Sequence, residues 1–297
     1  MSLSISVVAP ASYTDPKTIS VAAEALETLG IQARVPASLQ VPRRYLAGSV
    51  AHRLAGLYDA YDDPDTQAVW AVRGGYGCAQ LIEHIDWARL SPKPLIGYSD
   101  ISVLLDQCYR HGLPAIHGPV MKEAALLSHE APEQRSAAKC QIEELRELLS
   151  GSESAFLPLT RFGDGPVAGE PLGEGPVVGG NLMTLACVAG TAAGFMAPPG
   201  ALVILEDVGE PYYRLERALW QLVHSGAFDQ ASAVCLGTFE GCTPYDEASL
   251  ETIFAELLRP LGVALYSGLP VGHGLHNRPW RYGATGCIDK GRLKLKG

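Results

Sequence analysis

The chain has 297 residues, 47% hydrophobic and 19% charged, which suits one large domain or two of ordinary size and excludes a disordered polymer. A formal net charge of -9 excludes nucleic acid and anionic membrane as principal partners, because both demand concentrated Lys and Arg. Seven cysteines, an odd number without a CxxC pair, point to free thiols in a reducing compartment and not to a disulfide or zinc framework.

In chain order, SISVVAP, with no basic residue before it and too short a run for a signal-sequence core, is expected to be a buried strand. Asp15 and Pro16 then open a helix that Gly30 closes. QARVP is a short strand, AGSVAHRLAGLYDAYDD a helix, AVWAVRGG a strand and GCAQLIEHIDWARL a helix. PLIGYSD is a strand, ISVLLDQCYRHG a helix, PAIHGPV a strand and APEQRSAAKCQIEELRELLSG a long helix. Short apolar strands separated by helices indicate parallel pairing with both faces covered. Residues 1–150 are therefore expected to form an open α/β sheet with ligands at the carboxyl ends of its strands.

A Gly- and Pro-rich stretch, 151–168, marks a crossing into a mixed second domain over 169–297. Its apolar run Leu182–Ala197 falls short of the roughly 18 residues of a membrane span. ALVILED is a strand, YYRLERALWQLVHSG a helix, SAVCLGTF a strand, SLETIFAELLRPLG a helix and VALYSGLPVGHG a strand. GCIDKGRLKLKG closes the chain as a hairpin around Lys290 and Gly291. A soluble cytoplasmic protein is the expectation.

Candidate chemistry gathers at strand ends. Ser99, between strand and helix, is either an N-cap or a nucleophile raised on a tight elbow beside helix N–H groups. The turn Arg73–Gly77 lacks the phosphate-binding glycine patterns, so no nucleotide cofactor is expected, but its bare backbone can approach a substrate oxygen. Glu206 and Asp207 follow apolar strand residues, where either is an orienting carboxylate or a solvated acid. His273 between two glycines is either a proton shuttle or a surface turn residue, with His117 as the rival base. No acid or cysteine lies close in sequence to His273 and His276, so no metal site is expected. Together a serine, a strand-end acid and a histidine supply the three roles of a hydrolytic triad.

The blocks AVRGGYGCAQLIEHIDW, LIGYSDISVLL, HGPVM, VVGGNLMTLACVAGT, LVILEDVGEPYYRLERALWQL and LPVGHG resemble the LD-carboxypeptidases, murein tetrapeptide carboxypeptidases whose siblings are the microcin-immunity serine peptidases. The resemblance implies a flavodoxin-like amino-terminal domain bearing the nucleophile and a smaller swivelling β/α carboxyl-terminal domain bearing acid and base. It implies a Ser99, Glu206, His273 triad with an oxyanion hole at the backbone N–H groups of Gly75 and Asp100. It further implies a cytoplasmic homodimer without metal or cofactor that removes the terminal D-alanine from muropeptide tetrapeptides in cell-wall recycling. The bond cut would join an L-configured centre of diaminopimelate to D-Ala. Arg73, Tyr76 and Asn181 are the expected substrate contacts. Arg278, Trp280 and Arg281, in a less typical segment, either shape recognition or cover the sheet edge. The alternatives are a hydrolase of nucleotidyl-peptide antibiotics with the same triad and a non-catalytic muropeptide-binding protein.

Overall fold

The computed structural model describes residues 3–151, 157–162 and 172–296. Of the expected crossing segment, residues 152–156 and 163–168 lie outside the described residues. The chain divides into two compact units, Met1–Arg146 and Glu147–Gly297. The second unit, expected to be the smaller, is of comparable length.

In the first unit, β1 (Leu3–Val8), β2 (Ile31–Arg34), β3 (Ala68–Ala71), β4 (Leu95–Gly97) and β5 (Ala115–His117) lie in the order β2-β1-β3-β4-β5. Every pairing among them is parallel, which is the flavodoxin-like order. The central strands face covered surfaces on both sides: all four residues of β3 are buried, and Trp70 is sealed with its Nε1–H donating to Pro119 O at 2.7 Å. Burying each large apolar side chain contributes about 1.5–3 kcal/mol.

Helices begin where the sequence supplies caps. Asp15 accepts from Lys17 N ahead of α1 (Pro16–Thr28), and Ser49 accepts from His52 N ahead of α2 (Val50–Asp62). α3 (Ser102–Arg110) follows β4, and α4 (Pro132–Leu149) follows β5.

One expected helix is absent. Residues 78–89 form three 3₁₀ turns, broken where Ile85 and Asp86 turn extended. The apolar spacing that suggested a helix is real, since Leu81, Ile82, Ile85 and Leu90 are all buried. Tertiary bonds override continuity: Asp86 N donates to Tyr58 Oη at 2.8 Å and Arg89 pairs with Asp62 at 2.6 Å.

The second unit is built on a mixed sheet of β6 (Leu157–Pro158), β7 (Thr160–Phe162), β8 (Leu172–Asn181), β9 (Ala201–Val208), β10 (Ala231–Glu240), β11 (Ala264–Ser267), β13 (Thr285–Asp289) and β14 (Arg292–Leu295). A two-residue strand, β12 (Trp280–Arg281), precedes β13. β8 to β11 pair in parallel, with antiparallel strands outside them. β13 and β14 form the expected hairpin, whose turn residues Lys290 and Gly291 both take positive φ. α5 (Leu182–Cys187), α6 (Tyr212–His224) and α7 (Leu250–Leu258) complete the unit. Leu202–Leu205, Phe228 and Phe254 are fully buried at its centre. Among the described residues, no helix is long and apolar enough to cross a membrane.

Candidate active site

Ser99 sits at the carboxyl rim of the first sheet, two residues beyond β4, and is partly exposed. Its φ of +62° is the left-handed region, where a non-glycine L-residue is strained by about 1–2 kcal/mol. An N-cap would take an extended backbone and accept an N–H from the first turn. Here neither the 3₁₀ turn at 99–101 nor α3 has a side-chain cap bond. The geometry is that of an elbow, in which strain lifts the hydroxyl off the sheet.

The glycine turn after β3 packs directly against this elbow. A Cβ on Gly74 would lie 2.8 Å from Ser99 Cβ, 2.9 Å from its Oγ and 3.0 Å from Asp100 N, so only glycine lets the two strand ends meet this closely. Ser12, four residues beyond β1, ties the turn down: Ser12 N donates to Gly74 O at 3.3 Å and Tyr76 N donates to Ser12 Oγ at 3.1 Å. Gly75 is exposed. Among the described residues, no acceptor pairs with the backbone N–H of Gly75 or of Asp100. The carboxylate of Asp100 turns inward and accepts from Cys78 N at 2.9 Å; burial raises its pKa. Beneath the turn, buried Arg53 donates to Pro10 O, Gly48 O and Gly77 O and fixes the loop ends together.

Arg73 is partly buried and donates to Tyr13 O at 3.0 Å. Tyr76 is 46% exposed, its ring edge-on to Tyr45 at 5.5 Å. His117, the rival base, is wholly buried at the end of β5 with its ring against Tyr98.

In the second unit, Glu206 lies within β9, two residues before its end, and is completely buried. Its Oε2 meets His273 Nδ1 at 2.7 Å. His273, 17% exposed, was expected at a strand end; β11 stops at Ser267, and the imidazole rides on the loop that follows. Pro270 has no N–H with which to prolong a ladder. The loop is instead pinned to β10, with Leu269 N donating to Leu236 O at 3.1 Å and Thr238 N to Val271 O at 2.8 Å.

Gly272, at φ +114°, explains the glycine beside the histidine. A Cβ there would sit 2.7 Å from both Cβ and Oε2 of Glu206, so glycine allows the loop to close over the carboxylate. Asn277 Oδ1 holds the same turn by accepting Gly272 N at 3.0 Å. Opposite Glu206, β10 slips register between Leu236 and Phe239, a bulge that makes room for the acid.

The neighbouring acid has a different task. Asp207 accepts Met183 N and Val208 N, both at 2.8 Å, and burial lifts its pKa to about 6. Asn181, an expected substrate contact, is buried as the N-cap of α5: its Oδ1 accepts Thr184 N at 3.0 Å, and its side chain also bonds Asp207. Its register partner across the sheet is Glu206. Asn181 thus supports the acid pair from within the unit. Trp280 is fully buried and stacked on Tyr282, and Arg281 donates to Leu148 O. Arg278 holds its loop through its backbone N–H, which donates to Pro270 O at 2.9 Å. Among the described residues, no group of three or more His, Cys, Asp or Glu is placed to hold a metal ion.

Comparison with known proteins adds an independent line. Residues 5–118 match the LD-carboxypeptidase N-terminal domain and residues 174–288 the LD-carboxypeptidase C-terminal domain. The murein tetrapeptide carboxypeptidase of Pseudomonas aeruginosa is 45% identical over 294 residues, spanning 98% of this chain and 94% of that protein. The probable murein peptide carboxypeptidase of Bacillus subtilis is 31% identical over 275 residues, or 91% of this chain and 83% of its own. Among solved structures, muramoyltetrapeptide carboxypeptidase from Oxalobacter formigenes superimposes with a TM-score of 0.82 at 25% identity, covering 98% of this chain and 97% of that one. The microcin C7 self-immunity protein MccF gives a TM-score of 0.83 at 19% identity over 100% of this chain and 96% of its own, a likeness of fold alone.

Proposed function

The chain belongs to the LD-carboxypeptidase family, and on that premise we propose that it is a serine peptidase releasing the terminal D-alanine of murein tetrapeptides. The bond is the L,D linkage between diaminopimelate and D-Ala, and the setting is cell-wall recycling in the cytoplasm by a homodimer. In this reading residues 1–150 carry the nucleophile, 151–168 form a linker and 169–297 carry the acid and base.

The observation that carries the reading is the buried Glu206 carboxylate bonded at 2.7 Å to His273 Nδ1. A carboxylate on Nδ1 fixes the tautomer in which Nε2 is the basic nitrogen. Ser99 Oγ attacks the scissile carbonyl while His273 Nε2 takes its proton. Negative charge on the tetrahedral oxygen falls to the N–H groups of Gly75 and Asp100. His273 then protonates the departing amine of D-alanine, and water, activated by the same imidazole, hydrolyses the acyl-enzyme. Arg73 and Tyr76 stand beside the nucleophile's turn as substrate contacts.

The antibiotic-hydrolase alternative rests on a likeness of fold at 19% identity, whereas the murein reading rests on a relative 45% identical over nearly the whole chain. A purified sample incubated with a defined tetrapeptide should lose one alanine, read by mass spectrometry, and the Ser99→Ala variant should not. Labelling of Ser99 by a fluorophosphonate separates a working enzyme from a muropeptide-binding protein. Cleavage of an acyl-sulfamoyl nucleotide with the tetrapeptide left intact would reverse the choice between substrates.

A further inference from the structure

The rim that presents Ser99 also gathers two cations. The segment following β5 crosses the strand ends: Gly118 N donates to Gly97 O and Lys122 N to Val72 O, each at 3.1 Å. Lys122 therefore stands beside Arg73, and the next residue along, Gly74, is packed on Ser99. Arg73 spends one guanidinium N–H on Tyr13 O, while its buried Nε has no hydrogen-bond partner among the described residues. Lys122 is partly buried. Burial and the neighbouring Arg73 lower its pKa, and Glu123, which accepts the Tyr98 hydroxyl at 2.5 Å, offsets them only in part. Two adjacent cations, one carrying a buried N–H without a hydrogen-bond partner among the described residues, hold more positive charge than the single carboxylate of Glu123 balances.

The substrate class proposed above supplies a second carboxylate. In a peptide ending in D-alanine, the terminal carboxylate carbon is three bonds from the scissile carbonyl carbon, so its subsite has to border the nucleophile. We propose that Lys122 acts with Arg73 to hold the terminal carboxylate of the substrate, making Lys122 a determinant of carboxypeptidase over endopeptidase specificity. This inference rests on the peptidase reading.

The test compares kcat and KM for D-alanine release from a tetrapeptide with release of D-alaninamide from its C-terminal amide, for the wild type, Lys122→Met and Lys122→Arg. Loss of one charge-assisted contact should raise KM for the acid roughly ten- to a hundredfold. Because uniform binding is removed, kcat should stay nearly constant. The preference for acid over amide should collapse in Lys122→Met and return in Lys122→Arg. An unchanged preference in Lys122→Met, or a fall in kcat at constant KM, overturns the assignment. If the wild type releases no D-alanine, the peptidase reading fails while calorimetry with N-acetyl-D-alanine still decides the subsite. Tighter binding of the acid than of its amide, lost in Lys122→Met, supports the carboxylate site; equal binding of the two by the wild type refutes it.

Discussion

Replacing Gly74 with alanine tests whether the glycine turn sets the position of the Ser99 hydroxyl. The added Cβ would lie 2.8 Å from Ser99 Cβ and 2.9 Å from Oγ. Non-bonded carbon atoms settle at about 3.5–4.0 Å, so turn and elbow must part by roughly 1 Å. Gly74 is not among the residues of positive φ, which leaves this steric contact as the whole perturbation. Overpacking of that size destabilises by about 1–3 kcal/mol. A misplacement of about 1 Å at a reacting group lowers the rate roughly 10²-fold. The expected result is therefore a loss of at least roughly 100-fold in kcat/KM for D-alanine release, with Tm lower by only a few degrees. Steady-state kinetics, scanning calorimetry and the rate of fluorophosphonate labelling measure the three quantities. Wild-type kcat/KM with normal labelling in Gly74→Ala would refute the reasoning, because a displaced Oγ cannot remain a competent nucleophile.

The strained serine and the two adjacent acids each make a further outcome measurable. Ser99→Gly should stabilise the fold by about 1 kcal/mol, since glycine tolerates φ +62°, while abolishing turnover; a less stable variant in urea titration would show that the elbow is not strained. Glu206→Gln should lower kcat by about 10³–10⁴-fold through the wrong imidazole tautomer and leave more residual rate than Ser99→Ala; equal loss in both would assign Glu206 more than orientation. Asp207, raised from 3.8 to about 6, binds its proton more tightly in the native state than in the unfolded chain. Its contribution to stability is therefore full below about pH 4 and lost as pH rises through 6, a fall of at most roughly 3 kcal/mol. Asp207→Asn should remove that share of the pH dependence between pH 4 and 6.5 in urea unfolding; an identical slope in both proteins would reject the burial account.

Much of the fold was legible because its signals are local. The four-residue run Ala68–Ala71 is apolar because it is covered on both faces, and the Asp15-Pro16 cap starts a helix by chemistry confined to one turn. The misreadings fall where tertiary bonds decide. At 78–89 the apolar spacing fits a helix, yet the Tyr58 hydroxyl captures Asp86 N and the segment breaks into 3₁₀ turns. After Ser267, the strand pattern of the sequence runs on, but the chain leaves the ladder and takes its hydrogen bonds from Leu236 and Thr238 as a loop.

The site was legible in residue type and position, and opaque in conformation. No property of GYSD discloses a left-handed serine packed against Gly74, 25 residues earlier in the chain. Nor could the two adjacent acids be told apart, because neighbours on a strand face opposite sides and the bulge opposite them is written in β10. Lys122 carries no signal in the sequence itself: a lysine in an otherwise ordinary turn gains meaning only from the hydrogen bond that lays it on Val72.

What distinguishes the two acids also bears on how the proposed reaction gains its rate. Asp207 has both oxygens satisfied by backbone N–H groups, and burial drives it toward the neutral form. Glu206 has one oxygen on the imidazole and the other, Oε1, buried without a hydrogen-bond partner among the described residues. A sealed carboxylate so sparsely solvated is poorly compensated beside a neutral imidazole and far better compensated beside an imidazolium. The imidazolium exists only once His273 has taken the proton of the attacking serine. The interaction therefore strengthens on the way to the tetrahedral intermediate, and such differential stabilisation lowers the barrier where uniform binding does not. Gly237→Ser would press its Cβ to 2.5 Å from Val271 O and 3.2 Å from Glu206 Cβ, shifting the loop that carries His273 off the carboxylate, and should weaken that gain and reduce kcat more than it raises KM.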